Sequence, residues 1–273
     1  MVDFVDQLKG LSEQEKAACL IAERVLGAVA EPWDIAGRSG VVDAMLTLAD
    51  GRRAAFEVTV LAAEGAIQTD SLLRRDNHSW PLPGKWLWSI RIGAPSDIPR
   101  LRAAYQRIAL ACEAAGVQRP QNLPWDVQIA DPDIRWLVQE SASEMTGISS
   151  VPAVDGGHTR SAMLGPPARA GIVDRSLAGL RPALETAFAQ HHMPRHLEKL
   201  RRAEADERHL FIPMHLSALP FSVIDGLMAS ESLPPDAPPL PQEVTHLWLA
   251  PAFSRRVLLW NGAEWSSHDP YDN

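Results

Sequence analysis

Two acids, Asp43 and Glu57, stand where a single turn can bring them together. Two carboxylates at one point repel each other, so they share a proton, recruit a basic partner or hold a hard cation such as Mg²⁺. A bound Mg²⁺ activates water and stabilises charge on a phosphoryl group. Thr59, two residues beyond Glu57, would lie beside them.

The element that must do the positioning is the stretch VVDAMLTLADGRRAAFEVTVL, residues 41–61. It reads as a β-hairpin closed by Ala49-Asp50-Gly51, a three-residue loop ending on a left-handed glycine. That loop sets Leu48 opposite Arg52, and hence Asp43 opposite Glu57 and Val41 opposite Thr59. Side chains alternate across a strand. One face therefore carries Val42, Ala44, Leu46, Leu48, Ala54, Phe56, Val58 and Val60, and the other carries Asp43, Glu57 and Thr59. A two-residue turn at Asp50-Gly51 would slip the register by one and part the acids.

A helix, then Asp on one strand, then Glu-x-Lys on the next resembles the PD-(D/E)XK, or restriction-endonuclease-like, nuclease superfamily. Here the match is Asp43 with Glu57-Val58-Thr59, preceded by Gly40, over roughly residues 10–110. The resemblance implies that Asp43 and Glu57 bind Mg²⁺, that Glu23 on the first helix is a further acid, and that water attacks a phosphodiester of DNA or RNA. The chain departs from the pattern at the lysine, whose place is taken by Thr59. Lysines are few: Lys9, Lys16, Lys85 and Lys199. Lys85 before a strand, Lys199 on a later helix, and Arg74 and Arg75 after the hairpin are the cations that would have to substitute; sequence alone places none of them at the acids.

The 273 residues are 46% hydrophobic, which supports a sizeable core. No apolar run is long enough to span a membrane, no secretory signal opens the chain, and two isolated cysteines, Cys19 and Cys112, read as buried thiols. The expectation is a cytoplasmic protein of a reducing compartment; richness in Ala, Arg, Pro and Trp suggests a bacterial source. The net charge of −8 argues against broad attraction to nucleic acid, although a metal offsets the site acids. Basic residues at 91–119 and 195–208 read as helix faces paired with acids.

Residues 3–30 read as a first helix or helix pair, with Ser12 and Glu15 as a capping box and Pro32 as the stop. After the hairpin come a helix from 62, a strand at 86–93 and a helix at 98–115 capped by Gly116. Helix, hairpin, helix, strand, helix is the order of the endonuclease-like core. Residues 126–141 read as a second hairpin around Asp131-Pro132-Asp133. Residues 147–172 form a long loop holding His158, Thr159 and Arg160. A helical region at 174–205, broken by Pro182 and Pro194, carries His191, His192 and His196. His192 and His196 have helical metal-pair spacing, but Pro194 lies between them and no acid stands as a zinc-hydrolase base. Strands at 209–214, 244–251 and 255–265, with a helix at 217–229 and a proline-rich connector at 233–241, complete the chain.

The predicted fold is α/β (α+β): a mixed sheet flanked by helices, with an endonuclease-like core at 1–120 and a C-terminal α/β extension at 121–273 that continues the same sheet or builds its own. The absence of a P-loop, GxGxxG, GxSxG or CxxC pair disfavours nucleotide cofactors and serine hydrolases. The expected function is a metal-dependent nuclease-like protein, active or degenerate. The alternatives are a non-catalytic binding or regulatory module that keeps the fold, and a partner-binding protein whose hairpin acids are merely surface.

Overall fold

A computed structural model describes residues 8–34, 40–82, 84–149, 161–167 and 171–271. The loop residues His158, Thr159 and Arg160 lie outside these. In chain order the elements are α1 (Glu13–Leu26), β1 (Val29–Pro32), β2 (Ala44–Thr47), β3 (Arg53–Val58), α2 (Ala66–Arg74), β4 (Ser79–Pro81), β5 (Leu87–Arg91), α3 (Ile98–Ala115), α4 (Trp125–Ala130), α5 (Pro132–Gln139), β6 (Glu144–Ile148), β7 (Ser161–Gly165), α6 (Leu180–Phe188), α7 (Met193–Arg202), β8 (Glu207–Met214), α8 (Phe221–Ala229), β9 (His246–Pro251), β10 (Val257–Trp260) and β11 (Trp265–His268). The fold is mixed α/β, as expected.

The chain divides into two units, one made of residues 1–62 with 170–273 and the other of residues 63–169. The boundary expected at 120 thus falls inside the second unit. The helix, strand and helix that follow the hairpin in sequence (α2, β5, α3) do not continue its sheet: β5 pairs within a separate four-stranded sheet, β4-β7-β5-β6. There Trp88 and Ile90 pack against Leu101, Ile108 and Cys112 of α3. The expected hairpin at 126–141 is instead two helices. Asp131 caps α5, its carboxylate accepting the N–H groups of Asp133 and Ile134 at 2.9 and 3.2 Å.

The first unit is built on a seven-stranded sheet of order β1-β2-β3-β8-β9-β10-β11. The late strands therefore extend the hairpin's own sheet, with β3–β8 and β8–β9 parallel and the other pairs antiparallel. The first helix, expected to run to residue 30, ends at Leu26, and Val29–Pro32 form β1 instead. Gly27, at φ 62°, ends α1 in the left-handed region, and Pro32 is tolerated because β1 is an edge strand. Ser12 and Glu15 form the expected capping box.

Both faces of this sheet are covered. Leu46, Phe56 and Val58 pack with Ala18, Cys19 and Ile21 of α1, together with Phe211 and Trp248. Met45, Ala55, Leu210 and Leu247 pack with Leu184, Leu200 and Leu227 from α6, α7 and α8. Val42, expected on the α1 side, joins this second cluster. Double coverage suits the apolar run of β8, since a central parallel strand is buried on both sides. Cys19 and Cys112 are both free and buried, and burial pushes each thiol up to about 12. Among the described residues no helix is long and apolar enough to cross a membrane.

Candidate functional site

The hairpin has the register that its loop dictates. Ala44 pairs with Phe56 and Thr47 with Arg53, which continues to Asp43 opposite Glu57. Leu48 N–H donates to Arg52 O at 2.9 Å and Gly51 sits at φ 86°, the left-handed residue of a three-residue loop. The two acids are linked through the backbone. Val58 N–H donates to Asp43 Oδ2 at 2.7 Å and Asp43 N–H to Glu57 Oε2 at 3.2 Å. Because helices cover this face too, the acids are buried rather than set on an open surface, Asp43 being 6% and Glu57 0% exposed.

The missing cation comes from α7. Lys199 Nζ lies 2.9 Å from Glu57 Oε1 and 3.2 Å from Asp43 Oδ1, with Asp34 Oδ2 at 3.9 Å. Burial pulls the Lys199 ammonium down, but hydrogen bonds and charges from Glu57 and Asp43 outweigh it and hold its pKa above the ordinary value. One lysine does not settle the account. Burial first, and the neighbouring Glu57 second, push Asp43 up to about 6 despite its bonds to Val58 and Lys199. His196, one turn before Lys199, places Nδ1 at 2.6 Å from Glu57 Oε1. That oxygen thus accepts from both His196 and Lys199.

Thr59 is buried beside the acids' strand and its N–H donates to Phe211 O at 3.0 Å; it brings no charge. Glu23 does not join the pair, since its Oε1 accepts Ala30 N–H at 2.8 Å and serves the turn after α1. Arg74 is engaged by Asp70 at 2.8 Å, and Lys85 belongs to the second unit. The expected pairing of basic helix faces with acids holds for Arg100 and Arg107 with Asp133 and for Arg201 and Arg202 with Glu198. Pro194 occupies the first turn of α7, where a missing N–H is harmless, so it does not disrupt the His192–His196 spacing. His192 Nε2 is buried without a hydrogen-bond partner.

Next to Lys199 opens a recess of about 440 Å³, lined among others by Trp33, Met45, Arg53, Arg202 and Glu204. The Arg53 guanidinium rests 5.1 Å from the centre of the Trp33 ring. Of its cationic lining, Lys199 is paired with Asp43 and Glu57, and Arg202 with Glu198.

A different group could hold a metal ion. Glu207, His209 and His246 present ligand atoms all within 4.8 Å of one another. Sequence reasoning missed this group, because its members lie on two strands and show no recognisable spacing. The pairing of His209 with His246 across β8 and β9 brings them side by side.

Compared with family models, with curated proteins and with solved structures, the chain matches none.

Proposed function

We propose that the chain is a nuclease-like phosphodiesterase of the PD-(D/E)XK type in which Lys199, not Thr59, supplies the lysine's charge. The observation that carries this reading is the convergence of one ammonium on both hairpin carboxylates. This reading draws on α1, the β2–β3 hairpin, α7 and β8 of the first unit rather than on α2 and β5.

Asp43 and Glu57 are the residues that would hold Mg²⁺. Their fit rests on two carboxylates converging on one ammonium; burial first, and the Glu57 charge second, hold the Asp43 carboxyl at about 6. Both Asp43 oxygens and Glu57 Oε2 retain a lone pair beyond the hydrogen bond each accepts, whereas Glu57 Oε1 already accepts two. When bound, the ion would lower the pKa of a water and neutralise charge on the phosphoryl oxygens. Lys199 would orient that water and balance the charge that develops on the phosphate. The recess beside Lys199, with Arg53 in its wall, would receive the phosphate backbone.

A second reading is supported by the same contacts: every oxygen of both acids is already bonded, the arrangement of a closed ion pair in a module that has lost the chemistry. Cleavage of single- and double-stranded DNA and of RNA, assayed with Mg²⁺ or Mn²⁺, separates the two. The nuclease reading expects metal-dependent cleavage that disappears in Asp43→Ala, Glu57→Ala and Lys199→Met, and returns when Thr59→Lys is added to Lys199→Met. No cleavage in wild type, with no metal-induced rise in Tm, leaves the non-catalytic module.

A further inference from the structure

We propose that Glu207, His209 and His246 form a second cation site, selective for a borderline divalent ion of the Zn²⁺ class, on the sheet face opposite Asp43 and Glu57. The faces follow from register. Glu57 pairs with Leu210 and Phe56 with His209 across β3 and β8, so His209 shares the α1-side face with Phe56 while Glu57 shares the other with Leu210. Glu207, two residues before His209, lies on the His209 face.

Two of the three donor separations bracket the spacing around a small tetrahedral ion. Glu207 Oε2 lies 2.8 Å from His209 Nε2 and 3.6 Å from His246 Nε2. Metal–ligand bonds of ~2.0–2.1 Å at tetrahedral angles place ligands ~3.3 Å apart, between those two distances. Two imidazoles and one carboxylate favour Zn²⁺ or Co²⁺ over Mg²⁺, which prefers oxygen. Glu207 and His246 side chains are each 14% exposed and His209 is sealed, so solvent can reach one side and supply a water ligand.

The surrounding hydrogen bonds prepare two of the three ligands. Arg52 Nη1 donates to Glu207 Oε1 at 2.5 Å, which leaves Oε2 for the ion. Thr245 Oγ1 donates to Arg208 O at 3.1 Å and accepts Arg208 N–H at 2.8 Å. Thr245 Oγ1 lies 2.9 Å from His246 Nδ1 and can accept that ring's N–H, the tautomer in which the Nε2 lone pair faces the Glu207 carboxylate oxygen 3.6 Å away and a cation would bridge the two. Orientation of a ligand imidazole through its other nitrogen is a usual feature of metal sites.

The third ligand is held back. Trp248 Nε1–H donates to His209 Nδ1 at 3.1 Å, which keeps the His209 proton on Nε2, bridged to Glu207. For Nε2 to take the ion, the ring's single proton shifts from Nε2 to Nδ1, and the indole bond is released. The two rings also stack, 4.1 Å apart and 10° from parallel, so His246 must tilt to bring its lone pair onto the ion. Binding thus requires a change of His209 tautomer that Trp248 both opposes and reports.

The test uses the whole chain stripped with EDTA and titrated at neutral pH with Co²⁺ and then Zn²⁺. The expected result is one Co²⁺ per chain with tetrahedral d–d absorption, a change in tryptophan fluorescence, displacement by Zn²⁺ and indifference to excess Mg²⁺. His246→Gln and Glu207→Gln should each weaken binding by at least about 10-fold, while Asp43→Asn leaves it unchanged. Trp248→Phe should tighten it, by freeing the His209 tautomer. Far-UV circular dichroism shows that each variant is folded. Absence of Co²⁺ and Zn²⁺ binding in wild type overturns the site, as does undiminished binding in folded His246→Gln and Glu207→Gln.

Discussion

Lys199→Met removes the one ammonium that serves both hairpin acids while keeping the length of the side chain. With Nζ 2.9 and 3.2 Å from the two carboxylates, each attraction is about 5 kcal/mol gross at an effective dielectric near 20. Much of this is offset by the desolvation of the ammonium, and breaking a buried pair by removing one partner typically costs about 3–5 kcal/mol. The loss should depend on pH. In wild type Asp43 sits at about 6, so near pH 5 it is mostly protonated and offers Lys199 little charge. Without Lys199 the carboxyl rises further above its unfolded value of ~3.9. A raised carboxyl contributes stability that is present at low pH and is lost as pH climbs through the folded pKa. The variant loses it over a pH range in which wild-type Asp43 has already ionised. Destabilisation of about 2 kcal/mol near pH 5 should therefore grow to about 4–5 kcal/mol near pH 8, since each pKa unit is about 1.4 kcal/mol. Urea denaturation of both proteins at the two pH values measures it, and Asp43→Asn combined with Lys199→Met should recover most of the loss at the higher pH. An equal loss at both pH values, or one below about 1 kcal/mol near pH 8, refutes the shared-ammonium account.

Phe56→Ala, which empties a wholly buried position between α1 and the sheet, should destabilise by about 3–5 kcal/mol in chemical denaturation; under about 1 kcal/mol would show that this face does not pack as described. Gly51→Ala places a Cβ at φ 86° and should destabilise by about 1–2 kcal/mol by the same assay, although no atom lies within 4 Å of the new methyl; a neutral result would contradict the left-handed loop. Mg²⁺ should raise the Tm of wild type but not of Glu57→Gln, measured by differential scanning calorimetry; an equal rise in both would place the ion elsewhere.

The local chemistry of residues 41–61 was sufficient to set the hairpin. A glycine that tolerates positive φ after Ala49-Asp50 fixes the loop, the loop fixes the register, and the register puts Asp43 opposite Glu57. Ser12 with Glu15, and the helix ending at Gly116, were legible for the same reason, being signals within one turn of chain. Asp131 shows the limit of local reading. A carboxylate that accepts N–H groups two and three residues on serves a β-turn and a helix N-cap alike, and only packing chose the helix. The rest of the site was decided by contacts distant in sequence. Lys199 is 156 residues from Asp43, and His196 is 139 from Glu57. No periodicity or turn couples such distances; β8 does so by adding in parallel to β3, with α7 leading into it across the covered face. Burial of the acids has the same origin, since whether a strand's polar face meets water or helices depends on what else the chain packs there.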